Sequence, residues 1–233
     1  MKVEIWSDVV CPWCYIGKRR FEAALEEFDH RDDVEVVWRA FELDPSAPIR
    51  REAAYATHLA SKYGVSLPES QAMIDRMTET AAAEGLTFRF DIARPGNTFD
   101  AHRVVAFAAE RGRQDVVVER LFQATFSEGQ PIGDPDALER LAGDAGLDAD
   151  EVRAMLESDI CRDEVHADER QAVAFGITAV PFFVVDRAYG VSGAQPADVL
   201  RDVLHQAWAA THEPALRMTG TRGPACDDAG CDG

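Results

Sequence analysis

Apolar and polar positions alternate near both ends of the chain and recur at helical spacing through its middle. At the start, Val3, Ile5 and Trp6 form a short apolar run closed by Ser7-Asp8, which predicts a strand over residues 2–8. Phe21, Leu25 and Phe28 follow at i, i+4 and i+7, with Lys18, Arg19, Glu22 and Glu26 on other faces. That spacing predicts a helix from Pro12 to about Asp29. Over residues 34–41, Val34, Val36 and Trp38 alternate with Glu35 and Arg39, the period of a second strand. Strand, helix and strand at these separations suit a βαβ unit with parallel strands.

From about Arg50 to Phe175 nearly everything reads as helix. Pro68 suits a first helical turn, and Asn97, Asp134-Pro135 and Asp148 mark helix starts. Gly85, Gly112, Gly146 and Gly176 mark helix ends. Strand character returns from Pro181 to Val185, followed by a tight turn at Asp186-Arg187 and a partner strand at Tyr189–Ser192. Gln195-Pro196 opens a last helix whose apolar face carries Leu200, Val203, Leu204, Ala207 and Trp208. The order is βαβ, a helical block, then ββα. It predicts an α/β thioredoxin fold with a large all-helical insertion. Residues 1–48 and 176–212 make up the discontinuous thioredoxin-like domain, 49–175 the helical insertion domain, and 213–233 a mobile acidic tail with a C-x4-C pair.

Composition narrows the chemistry. The 233 residues carry 42 acidic and 24 basic side chains, a formal charge of −18. Phosphate contacts need clustered Lys and Arg, so this balance argues against a nucleic-acid or anionic-membrane partner. Glu4 and Asp8 interrupt the apolar start, which does not read as a secretory leader. No stretch approaches ~18 apolar residues in a row, so no membrane span is expected. The expected location is the cytoplasm, where thiols are kept reduced. Five cysteines there read as catalytic, metal-binding or incidental rather than as a disulfide framework.

Cys11-Pro12-Trp13-Cys14 falls between the first strand and the first helix. A cysteine just before a helix places its sulfur near unpaired N–H groups and the positive end of the helix dipole, which favours thiolate over thiol. Pro12 suits a first turn. Cys11 is therefore the candidate nucleophile, and Cys14, one turn in and less exposed, the candidate resolving thiol. Trp13 offers a flat apolar surface to substrate. A zinc site would need four ligands, and no second CxxC exists to supply them, so no metal is expected. The second signal is Gly176-Ile177-Thr178-Ala179-Val180-Pro181-Phe182. With the dithiol nearby, it reads as a cis Val180–Pro181 loop whose Val180 backbone pairs with substrate main chain.

The opening SDVVCPWCYIGKRRFE, the central NTFDAHR (Asn97–Arg103), the GITAVPFF stretch and SGAQP (Ser192–Pro196) together resemble the DsbA superfamily, specifically its FrnE-like branch. The resemblance covers the chain to about residue 210. It implies a thioredoxin domain with a helical insertion and a cis-Pro loop, and disulfide oxidoreductase or isomerase activity. It carries the nucleophile to Cys11, the resolving thiol to Cys14 and the cis-Pro to Pro181. The branch is also similar to 2-hydroxychromene-2-carboxylate isomerases and kappa-class glutathione transferases, which use a Ser or equivalent near the position of Cys11. Cysteine at both positions here favours dithiol chemistry.

The expected activity is thus protein thiol–disulfide exchange through Cys11 and Cys14, with no resident cofactor and glutathione as a possible co-substrate. The alternatives are a glutathione-dependent isomerase or transferase and a non-catalytic chaperone-like module. Expected substrates are protein or low-molecular-weight thiols and disulfides, handled by a monomer or homodimer. Cys226 and Cys231 form a candidate secondary redox pair in the tail. Cys161 reads as an inert helical thiol. His102, at a helix start in the insertion, is a candidate for lining the substrate groove or assisting proton transfer.

Overall fold

The computed structural model describes residues 1–212 together with the backbone of Cys226–Asp227 and Gly230–Cys231. Those two short strands pair antiparallel with Cys226 opposite Cys231. The remaining tail residues, and the thiol exchange read from the Cys226 and Cys231 side chains, lie outside the described residues.

Strand β1 (Lys2–Ser7) is buried on both faces, so it takes a central place. It pairs parallel with β2 (Glu35–Ala40) and antiparallel with β3 (Phe182–Val185), and β3 turns into β4 (Tyr189–Ser192). The sheet order is β2-β1-β3-β4. Asp186 and Arg187 form the turn with φ of 48° and 54°, as a two-residue hairpin linking right-twisted strands requires.

Alternation decides what covers each face. Val3, Ile5, Phe183 and Val185 share a core with Phe21 of α1 (Pro12–Glu26) and with Leu200 and Leu204 of α9 (Ala197–His212). On the opposite face, Trp6 and Val184 pack with Ala172 and Ile177, from α8 (Arg162–Ala174) and the turn after it. Trp6 Nε1 donates to Asp168 O at 3.0 Å. Glu4 shares that face at 1% exposure. Burial alone would raise its pKa, but Arg187 and Arg39, both hydrogen-bonded to it, outweigh burial and hold the carboxyl below its ordinary range. This is the thioredoxin fold.

Between β2 and β3 the chain adds the helical insertion. Its helices are α2 (Tyr55–Tyr63), α3 (Leu67–Ala83), α4 (Phe99–Ala109), α5 (Gln114–Phe126), α6 (Pro135–Asp144), α7 (Ala149–Leu156) and α8. Their starts follow local chemistry. Ser66 and Glu69 cap α3 reciprocally, Asp134 accepts from Asp136 N, and Asp148 accepts from Glu151 N. Helix α4 departs from the expected start at Asn97, because Thr98 is its N-cap residue. Asn97 instead bridges: its Oδ1 accepts from Phe99 N at 3.0 Å and its Nδ2 donates to Pro45 O at 3.2 Å.

The insertion is clamped to α1 and β2. The Gln114 carboxamide exchanges hydrogen bonds with the Trp38 backbone at 3.0 Å each way, closing the free edge of β2. Tyr15 stacks on Phe122 with ring centroids 4.8 Å apart. Lys18, expected on a polar face of α1, is 2% exposed beneath α5. Burial works against its charge, but Asp115, Glu22 and Glu119 outweigh it and keep the ammonium protonated. A buried cation held by three carboxylates fixes the seating of the insertion on the helix that carries the two cysteines.

Candidate active site

Cys11 is the N-cap residue of α1, with extended backbone (φ −93°, ψ 112°) and Pro12 in the first turn. Its amide donates to Asp8 O at 2.9 Å and its carbonyl accepts from Cys14 N at 3.0 Å, so the tight turn sets both cysteines. Cys11 is 4% and Cys14 1% exposed, and both are free thiols. Burial foremost, then the neighbouring Cys11, pushes the Cys14 thiol well above its ordinary pKa, while the Ser7 hydroxyl and the Asp8 amide act the other way.

The Val180–Pro181 peptide bond is cis. Cys11 Sγ lies 3.6 Å from Val180 O, placing that carbonyl within reach of a donating thiol. Pro181 itself packs on α1: a Cβ added at Gly17 would stand 2.9 Å from the Pro181 ring. Glycine at position 17 thus lets the loop approach the helix, a requirement that no spacing rule signals.

Cys11 opens into a cavity of about 480 Å³. Pro12, Trp13 and Val180 line it from the thioredoxin domain, and Trp13 remains 41% exposed at its edge. The opposite wall comes from the insertion, where Tyr55 and Leu59 of α2 and Met77 of α3 present apolar surface. Arg51, paired with Asp44, and Lys62 add charge at the wall. His58 stands among them, and burial, then Arg51 and Lys62, lower its pKa, so it is neutral at pH 7. Tyr55, Leu59, Lys62 and Tyr63 recur at helical spacing along α2 and line the cavity, but periodicity cannot tell a face that lines a cavity from one that fills a core.

Residues 2–205 match the profile of the DSBA-like thioredoxin domain. The chain belongs to the DsbA-like thioredoxin domain family. Among curated proteins, an uncharacterized protein, YwbO, of Bacillus subtilis is 32% identical over 209 residues, spanning 87% of this chain and 94% of that protein. Among solved structures, a probable DsbA oxidoreductase from Streptomyces coelicolor is 48% identical, with a TM-score of 0.86 over 100% of this chain and 98% of that one. The cytosolic disulfide reductase DsbM from Pseudomonas aeruginosa with GSH shares the fold at 18% identity and a TM-score of 0.62, over 88% of this chain and 98% of that one. Members of the DsbA-like family are generally thiol–disulfide oxidoreductases.

The structure of this DsbA-like domain brings Cys11, Cys14, Pro12, Trp13, Val180 and Pro181 together. It does not bring His102 to the cavity surface. His102 is 4% exposed and stands behind the wall, its Nε2 3.6 Å from Asp8 Oδ1. The expectation that it lines the groove is corrected accordingly: α4 starts at Phe99, so His102 falls one turn inside and points at a buried carboxylate. Cys161 is 8% exposed and lies far along the chain at the start of α8, with its pKa raised by burial and then by Glu164 and Glu110. Among the described residues, no group of three or more His, Cys, Asp or Glu could hold a metal ion. No described helix is long and apolar enough to cross a membrane.

Near His102, the Glu42 carboxyl is pushed up from 4.5 to about 7, by burial first and by Glu169 next. A group with this raised value binds its proton more tightly in the folded chain. Its contribution to stability is full below 4.5 and is lost as pH rises through about 7. Glu42→Gln is expected to flatten that part of the stability profile. Urea midpoints taken between about pH 5 and pH 8 check this, and an unchanged slope would refute the assignment.

Proposed function

We propose that this DsbA-like domain catalyses thiol–disulfide exchange on protein or low-molecular-weight substrates, with Cys11 attacking and Cys14 resolving. One observation carries the reading: Cys11 opens α1 at the cavity wall beside Val180 O, while Cys14 sits one turn behind it, almost fully buried. That asymmetry gives the two sulfurs different tasks. Cys11 can meet an incoming disulfide, and Cys14 can meet only what is already bound to Cys11. Trp13 offers an apolar contact beside the attacked bond, and the Val180 main chain offers hydrogen bonds to an extended peptide. The reading requires no resident cofactor. It places the enzyme in the cytoplasm, with a thiol such as glutathione as the co-substrate that returns the pair to its reduced form.

The test is trapping. Cys14→Ser removes the resolving thiol, so incubation with a peptide disulfide is expected to leave a stable adduct on Cys11, read by mass spectrometry of tryptic peptides. If that variant carries no adduct, or carries it on Cys161, the proposed roles are wrong.

A further inference from the structure

One wall of the cavity in front of Cys11 is not held by the hydrophobic core. Residues 43–54 run from just past β2 to the start of α2 with no helix or strand and without one buried residue. Leu43, Asp44, Ala47 and Arg51 of this strap nevertheless line the cavity. A segment that buries so little apolar surface takes its position from polar tethers rather than from packing.

The tethers converge on Asn97. Its backbone N–H donates to Pro48 O at 2.9 Å, and its Nδ2 donates to Pro45 O at 3.2 Å. Among the described residues, these two are the only hydrogen bonds that join residues 44–50 to chain outside the strap. Leu43 N, at the beginning of the strap, donates to Asp8 Oδ2 at 2.7 Å, and the Arg51–Asp44 pair closes the strap on itself. The other end of the Asn97 carboxamide accepts from Phe99 N at 3.0 Å, at the start of α4. Helix α4 is anchored in turn by buried Ala101, Val104 and Phe107. Two glycines make room for the arrangement. A Cβ at Gly96 or at Gly133, just before α6, would run into the Ile49 carbonyl oxygen.

We propose that Asn97 is a positioning residue for substrate: by tying the strap to α4, it holds this wall of the cavity ready for the part of a peptide that extends beyond its disulfide. The proposal deepens the exchange reading above and rests on it. Asn97 itself does not line the cavity, although its neighbours Gly96 and Thr98 do, so it acts through the strap. Attack by Cys11 needs only a sulfur in front of it, and a small disulfide reacts without touching this wall. A peptide that occupies the cavity meets Leu43 and Ala47. With the strap fixed beforehand, binding does not have to order it. Releasing the strap puts that ordering cost on affinity and leaves the chemical step alone.

Steady-state reduction of a peptide disulfide and of hydroxyethyl disulfide, with dithiothreitol as the reductant, tests it in three variants. Asn97→Ala removes both side-chain bonds. Asn97→Asp keeps an oxygen for Phe99 N but sets a carboxylate oxygen against Pro45 O where the donor stood. Gly133→Ala presses on Ile49 O from a residue outside the cavity lining. Each is expected to raise KM for the peptide about five- to tenfold, with kcat within about twofold of the parent and both constants for hydroxyethyl disulfide unchanged. A residue that merely supports the fold would lower both activities together. Asn97→Asp alone decides the point where Gly133→Ala does not fold. A parent-like peptide KM in Asn97→Asp, or an equal loss with both substrates, would overturn the proposal. A parent chain that reduces neither disulfide would instead sink the exchange reading beneath it.

Discussion

Cys11→Ser is expected to abolish disulfide reduction, lowering the rate by at least roughly a thousandfold. A serine oxygen cannot form the mixed disulfide, and no other described thiol can stand in for the lost sulfur. Cys14 is 1% exposed, and its thiol is held protonated by burial. Cys161 sits in a left-handed turn before α8, away from the cavity that Cys11 lines, and its thiol is also pushed up. The Cys226 and Cys231 thiols are the remaining source of background. The comparison is therefore made in a chain in which both are serine. The measurement is the initial rate of reduction of a fluorogenic disulfide peptide, with thermal unfolding recorded in parallel. Residual activity above a hundredth of the parent would mean that the chemistry runs through another sulfur.

Much of the scaffold was legible because strands and turns are set by local pattern. The Val34–Arg39 alternation, the Asp186-Arg187 turn and the Tyr189–Ser192 strand all lie where period and turn chemistry put them. The dithiol was legible for a related reason: a CxxC gains meaning from its place between a strand and a helix, and both neighbours were readable. What pattern could not supply was polar burial. Lys18 looked like a solvated residue of α1 because the groups that bury it, Asp115 and Glu119, lie about a hundred positions away. His102 looked like a groove residue because its partner Asp8, which lies before α1, is far from it in the sequence. The tertiary neighbours that make a charge cheap to bury leave no mark on the local sequence.

The same limit hid the role of Arg103, which the insertion motif marks without explaining. The side chain is 1% exposed. Its guanidinium donates to Met155 O at 2.6 Å, Ser158 O at 2.5 Å, Ile160 O at 3.0 Å and Leu156 O at 3.3 Å, and pairs with Asp100 at 2.7 Å. These carbonyls are the orphan acceptors at the end of α7 and the turn leading to Cys161 and α8. One planar fork thus ties α4 to the segment that delivers Glu169 and Asp168 beneath the sheet. Arg103→Met would leave buried carbonyls without donors and Asp100 without its cation. The expected cost is about 3–5 kcal/mol, lowering the melting temperature by roughly 10 °C. Arg103→Lys restores the charge but not the fork, so it is expected to recover less than half of that loss. Chemical and thermal unfolding of the three chains decide the point. A melting temperature for Arg103→Met equal to that of the parent would show that these carbonyls are satisfied without the guanidinium. Full recovery by lysine would show that charge alone, and not geometry, joins the two helices.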